Sequence, residues 1–117
     1  MPVVFNIFKC LDIAKDELPK VDGVIIRQVL QHLSNQEIQQ ILDKLSDYKY
    51  LILTEHIPVG PFTPNINIIT NSQNRLKHHS GVDLLAEPFN FKVKAFKVLN
   101  GVVLDNNSRI VTTLFTL

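Results

Sequence analysis

Apolar and polar positions divide the chain into blocks with two different periods. Ser34 to Ser46 carries the helical one. Ile38, Ile41, Leu42 and Leu45 make one apolar stripe, and Glu37, Gln39, Gln40, Asp43 and Lys44 occupy the opposite face. Ser34 followed three residues later by Glu37 has the form of a capping box, which satisfies free amides at a helix start. Three apolar runs surround this helix. Val3 to Ile13 is rich in β-branched and aromatic residues and reads as a buried strand. Gly23 to Ile26 is apolar on both faces, as expected of a parallel strand covered on both sides. Tyr50 to Ile57, with Leu51, Ile52 and Leu53 at its centre, is a third strand. The link Ala14 to Asp22 is polar, and Pro19 keeps a helix from running through it. Strand, helix and strand from Val24 to Leu53 predict a parallel pair joined by a right-handed crossover.

The second half is less regular. Pro58, Gly60, Pro61 and Pro64 break the pattern, and the stretch to Phe89 reads as a long irregular loop, of the kind that is functional or disordered, with apolar anchors at Ile66, Ile68, Ile69 and Leu76. From Phe91 to Leu104 a strand alternates, but the apolar phase flips near Phe96, which predicts a β-bulge. Asp105-Asn106-Asn107-Ser108 is a turn, and Arg109 to Leu117 is a final strand rich in Val, Ile, Thr and Phe. The last two strands therefore form a hairpin.

The 117 residues allow one domain, and 45% hydrophobic with 20% charged residues is a globular balance. Twelve basic and eleven acidic residues leave a net charge of +1, which gives no electrostatic case for nucleic acid or a membrane surface. Lys92, Lys94 and Lys97 read as a lysine-guarded strand edge in preference to a phosphate site. Cys10 is the single cysteine, so neither an internal disulfide nor a cysteine-based zinc site forms. No run approaches the roughly 18 apolar residues of a membrane span, and no secretory leader is visible. The expectation is a cytoplasmic protein with no metal.

Three groups fall at strand ends, where ligands of open parallel sheets collect: Asp12-Ile13, Arg27-Gln28-Val29 and Glu55-His56. Asp12 either accepts a hydrogen bond from an exocyclic amine such as that of adenine, with Ile13 stacked on the ring, or simply terminates its strand on loop amides. Arg27 either grips a ligand carboxylate or pairs with Asp12, Asp16 or Asp22. His32, in an apolar turn, is either a general base or a structural histidine. His78 and His79 are adjacent and read as a solvated loop pair. The chain carries no nucleophile elbow, phosphate loop or zinc-protease motif.

Taken in order, these features resemble the middle and end of a class I S-adenosylmethionine (SAM)-dependent methyltransferase. In that family the third strand ends in an acid that contacts adenine, a role the resemblance implies for Asp12. An acidic link like Lys15-Asp-Glu-Leu-Pro19 leads to the fourth strand. The segment Asp22-Gly-Val-Ile-Ile-Arg-Gln-Val-Leu-Gln-His-Leu33 looks like the strand whose end lines the methionine part of the cofactor, which implies Arg27, Gln28 and Val29 as cofactor contacts; His32, just beyond them, is the candidate catalytic base by its place in the chain. Tyr50 to Glu55 is similar to the fifth strand, and the terminal hairpin to the last two strands, one inserted antiparallel. Gly81-Val-Asp-Leu-Leu and Pro88-Phe-Asn-Phe91 resemble a segment of one branch that acts on small molecules or proteins.

The resemblance implies an α/β fold: a partial Rossmann-like sheet of mainly parallel strands with a C-terminal antiparallel hairpin, in one domain over residues 1–117. It implies SAM as cofactor and a small-molecule or protein methyl acceptor held under the Pro58–Phe89 loop. The family's first strand, glycine-rich loop and ribose-binding acid have no counterpart here, so the domain reads as N-terminally truncated. The gap this leaves in the sheet predicts a rearranged first strand, a second copy paired across the edge, or a complementing polypeptide. The alternatives to an enzyme are a non-catalytic relative serving as a remnant or partner subunit, and an unrelated small α/β module.

Overall fold

A computed structural model describes residues 22–105 and 107–117. The expected first strand, with Cys10, Asp12 and Ile13, and the link carrying Asp16 lie outside the described residues.

The clearest expectation is met at the helix. α1 runs Asn35–Lys44 and tightens into a 3₁₀ turn over Leu45–Asp47. Ser34 caps it, its hydroxyl accepting the Glu37 amide at 3.3 Å. The return half of the capping box is replaced by a relay: the Ser34 amide donates to Thr70 Oγ1 at 2.8 Å, and the Thr70 hydroxyl donates to the Glu37 carboxylate. Ile38, Ile41, Leu42 and Leu45 are buried.

β1 (Gly23–Arg27) pairs parallel with β2 (Tyr50–Pro58) over five positions, from Gly23 beside Tyr50 to Arg27 beside Thr54. The last two long strands, β5 (Ala95–Val103) and β6 (Ser108–Thr116), form the expected hairpin. Its turn is closed by Asp105 Oδ1, which accepts the amides of Asn107 at 2.7 Å and Ser108 at 2.8 Å. The expected bulge is present as a register shift between Val98 and Asn100. The strand begins at Ala95, four residues after the expected Phe91.

The sheet as a whole departs from expectation. Its order is β1-β2-β6-β5, and only the β1–β2 pairing is parallel. β6 runs antiparallel to β2 over nine positions, from Tyr50 beside Thr116 to Pro58 beside Ser108, and antiparallel to β5 as well. The domain is therefore a small mixed α/β unit with one helix and a mostly antiparallel sheet, and the expected mainly parallel, Rossmann-like sheet is not what forms. The reason lies in strand length. β2 extends four residues beyond its pairing with β1, and a nine-residue β6 matches its whole length, so β6 supplies the longest ladder.

The register places side chains in rows on two faces. Val24, Leu51, Phe115 and Phe96 share one row, followed by Ile26, Leu53, Thr113 and Val98 on the same face. α1 and the segment Val82–Phe89 cover this face, and the core joins Ile26, Leu51, Leu53 and Phe115 to the helix stripe, Leu84 and Phe89. Ile25, on the opposite face, is 46% exposed, so β1 is not covered on both sides as expected.

The long segment from Pro58 to Phe89 is organised by two polar side chains. Two-residue strands β3 (Thr63–Pro64) and β4 (Ser80–Gly81) pair within it. Asn65 adopts φ +57°, its Nδ2 donating to the carbonyls of Asp83 at 2.7 Å and Glu87 at 2.9 Å while its Oδ1 accepts the Asp83 amide. Arg75 is 1% exposed. Its guanidinium donates to the carbonyls of Ile66 and Leu33, both at 2.8 Å, to that of Gln31 at 3.2 Å and to Asn35 Oδ1 at 2.8 Å. Neither organiser is signalled by the local sequence pattern.

Candidate functional site

The tips of β1 and β2 are tied together. Past Arg27 the chain turns through Gln28 at φ +53°, whose amide extends the parallel ladder by donating to the Thr54 carbonyl at 2.8 Å. A 3₁₀ turn, Leu30–His32, follows. There Gln31 engages β2 twice: its amide donates to Glu55 Oε2 at 3.1 Å, and its Oε1 accepts the His56 amide at 2.8 Å. That amide points to the edge left free where β1 ends, so Gln31 completes the ladder with its side chain. Thr54 and Gln31 thus link the segments that carry two of the three expected tip groups, Arg27-Gln28-Val29 and Glu55-His56, while Arg27 shares the Thr54 row on the sheet face opposite to Glu55. Asp12 and Ile13, the third, lie outside the described residues.

Arg27 is exposed and Val29 is 37% exposed. Asp22, one carboxylate considered as a partner of Arg27, stands instead 3.9 Å from Lys49 at the opposite end of β1. His32 has its Nδ1 2.8 Å from the Gln73 carbonyl, and its own carbonyl accepts the Asn71 amide at 3.0 Å. A carbonyl partner requires the proton on Nδ1, which leaves Nε2 as the basic nitrogen. His79 lies in the left-handed region, its Nε2 2.9 Å from the Pro61 carbonyl. Among the described residues no group of three or more His, Cys, Asp or Glu is placed to hold a metal ion.

Glu55 is the residue whose role the sequence left unassigned. The alternation Leu51, Leu53, Glu55, Ile57 puts it on the covered face, where it is 4% exposed. Burial raises its pKa from 4.5 to about 8, against the opposing pull of the Gln31 amide, the Arg75 guanidinium and the Leu30 amide. Burial likewise lowers the pKa of Arg75, and Glu55 works against that. Burial thus favours the neutral form of Glu55. One oxygen accepts from Gln31, and the other, Oε1, is buried with no hydrogen-bond partner.

Glu55 lines a cavity of about 320 Å³ between the sheet and the long loop. Leu53 and Val98 floor it, Phe62 and Leu84 wall it, and Arg109 of β6 enters it two positions from the Glu55 row with a buried, unpartnered Nε. It lies under the Pro58–Phe89 loop. Its lining is mainly apolar, with Glu55, Asp83, Arg109 and Thr113 as the polar members. Among the described residues no helix is long and apolar enough to cross a membrane. Comparison of the chain with family models, curated proteins and solved structures gave no match.

Proposed function

We propose that the chain is the C-terminal part of the catalytic domain of a cytoplasmic SAM-dependent methyltransferase acting on a small-molecule or protein acceptor. The observation that carries the reading is the β1 tip. Arg27, Gln28 and Val29, the residues that the family resemblance assigns to the methionine end of the cofactor, stand at an open strand end held against β2 by the Gln28–Thr54 and Gln31–Glu55 hydrogen bonds. The position of β6, between β2 and β5 and opposed to both, supports it as well, since the resemblance gave one strand of the terminal hairpin an inserted antiparallel place.

Bound SAM supplies an electrophilic methyl group on a sulfonium. The chain's own part is binding, orientation and proton removal. In this reading the exposed guanidinium of Arg27 pairs with the methionyl carboxylate, Asp12 takes the adenine amine, Ile13 stacks on its ring, and Gln28 and Val29 form the wall between. His32, whose tautomer is fixed by the Gln73 carbonyl, removes the acceptor proton through Nε2.

Isothermal calorimetry of the chain with SAM tests this. Saturable binding is expected, weakened about tenfold or more by Arg27→Ala and by Asp12→Ala, as for loss of a charged hydrogen bond. No heat at millimolar SAM overturns it. A non-catalytic partner subunit is the second reading, favoured by the apolar edge strand β5, on which Phe96 is 58% and Val103 64% exposed. A stable dimer that ignores SAM would decide for it.

A further inference from the structure

The cavity under the long loop has features that the methyl-transfer reading does not use. Two of its lining side chains each hold one buried polar atom without a hydrogen-bond partner, Glu55 Oε1 and Arg109 Nε. Arg109 Nε has a proton to donate and no acceptor. Glu55 Oε2 is already committed to the Gln31 amide, which leaves Oε1 as the carboxyl oxygen without a partner. Unpaired buried polar atoms are costly, and two of them on side chains lining one cavity point to a molecule that satisfies both. Asp83 and Thr113 aside, the rest of the lining, including Leu53, Phe62, Leu84 and Val98, offers apolar contact.

We propose that this cavity binds a small hydrophobic carboxylic acid, its chain or ring over Leu53 and Val98 and its carboxylate between the Glu55 carboxyl and the Arg109 guanidinium. The site does not depend on the methyl-transfer reading and stands or falls separately from it. A cationic ligand is disfavoured by Arg109, and a purely apolar one leaves both polar atoms unsatisfied. The Glu55 carboxyl must be protonated to share an oxygen with an anion. Its pKa of about 8 gives that state at neutral pH. The charged and titratable groups around it are Arg75 from the loop, Arg109 from β6, Asp83 on the cavity wall, His32 on the 3₁₀ turn and, from the opposite face of β2, His56; Gln31, packed on the carboxylate, is uncharged. Asp83 is occupied, its Oδ1 accepting the Leu85 amide at 3.0 Å.

The test is calorimetric titration of the chain with octanoate, octan-1-ol and octylammonium between pH 6 and pH 9.5. Octanoate is expected to bind at least about tenfold more tightly than either of the others, with affinity falling about tenfold per pH unit above the Glu55 titration. Glu55→Gln keeps a donor and removes the titration, so it is expected to bind octanoate with a flat pH profile. Arg109→Gln is expected to lose octanoate selectivity while melting as a folded domain. Equal affinity for octanoate and octan-1-ol on the unaltered chain, tighter binding of octylammonium, no binding of any probe, or the same pH slope in Glu55→Gln would each overturn the assignment.

Discussion

Gln31 and Glu55, twenty-four residues apart, are joined where β1 ends and β2 continues: the Gln31 amide donates to Glu55 Oε2 at 3.1 Å. The contact couples the tip proposed for the cofactor to the acid in the cavity, and it fixes which oxygen of Glu55 is free. It also sets a pH dependence. Glu55 is pushed from 4.5 to about 8 in the folded chain, so the folded state holds a proton between those values that the unfolded state has released. This contribution to stability is complete below about pH 4.5, declines as pH rises, and is gone above about 8. Thermal melts of the unaltered chain and of Glu55→Gln should diverge across that window, the variant gaining up to a few kcal/mol relative to the parent by pH 8.5. Parallel curves would show that Glu55 is ionised when folded.

Arg75 should be a main support of the long loop. Replacing it with Met leaves the carbonyls of Ile66, Gln31 and Leu33 without its donors in a buried setting. A loss of about 3–5 kcal/mol in urea unfolding is expected, with Arg75→Lys recovering little because an ammonium cannot span the same acceptors.

Gly81 is required by close approach to β2. A Cβ built there falls 2.7 Å from Ile57 Cγ2 and 3.0 Å from Ile57 Cβ. Gly81→Ala is expected to cost about 1–3 kcal/mol by overcrowding. Ile57→Ala in the same chain should make the second substitution cheaper, a coupling that a double-mutant cycle measures directly.

Thr70 joins both ends of the helix cap, accepting the Ser34 amide and donating to Glu37. Thr70→Val should lower stability by about 1 kcal/mol, as losing a cap does, and Ser34→Ala combined with it should show less than the sum. Full additivity would mean that the relay does not operate.

What the sequence made legible is mostly local. Ser34, Glu37 and the Ile38, Ile41, Leu42, Leu45 spacing locate α1 within two residues of each end. Asp105 and Ser108 mark the hairpin turn, and the phase flip after Phe96 marks the bulge, since each depends on neighbours in the chain. The mostly antiparallel sheet was not legible. The partner of β2's second edge is set by fifty or more residues of separation and by matched strand length, and no period within β2 or β6 records it. Arg75 and Asn65 sit in an irregular polar stretch, where one buried arginine looks like any surface one. Glu55 is different. The step of two through Leu51, Leu53, Glu55 and Ile57 already placed a carboxyl on the covered face, and that signal was available.

The reading of this chain rests on the tip of β1. Titrating ¹⁵N-labelled protein with SAM and following backbone amide shifts tests it most directly. The account predicts saturable shifts concentrated at the amides of Arg27, Gln28, Val29 and Gln31, with those of α1's exposed face unmoved. Shifts that do not saturate, or that gather away from this tip while it stays still, would contradict it.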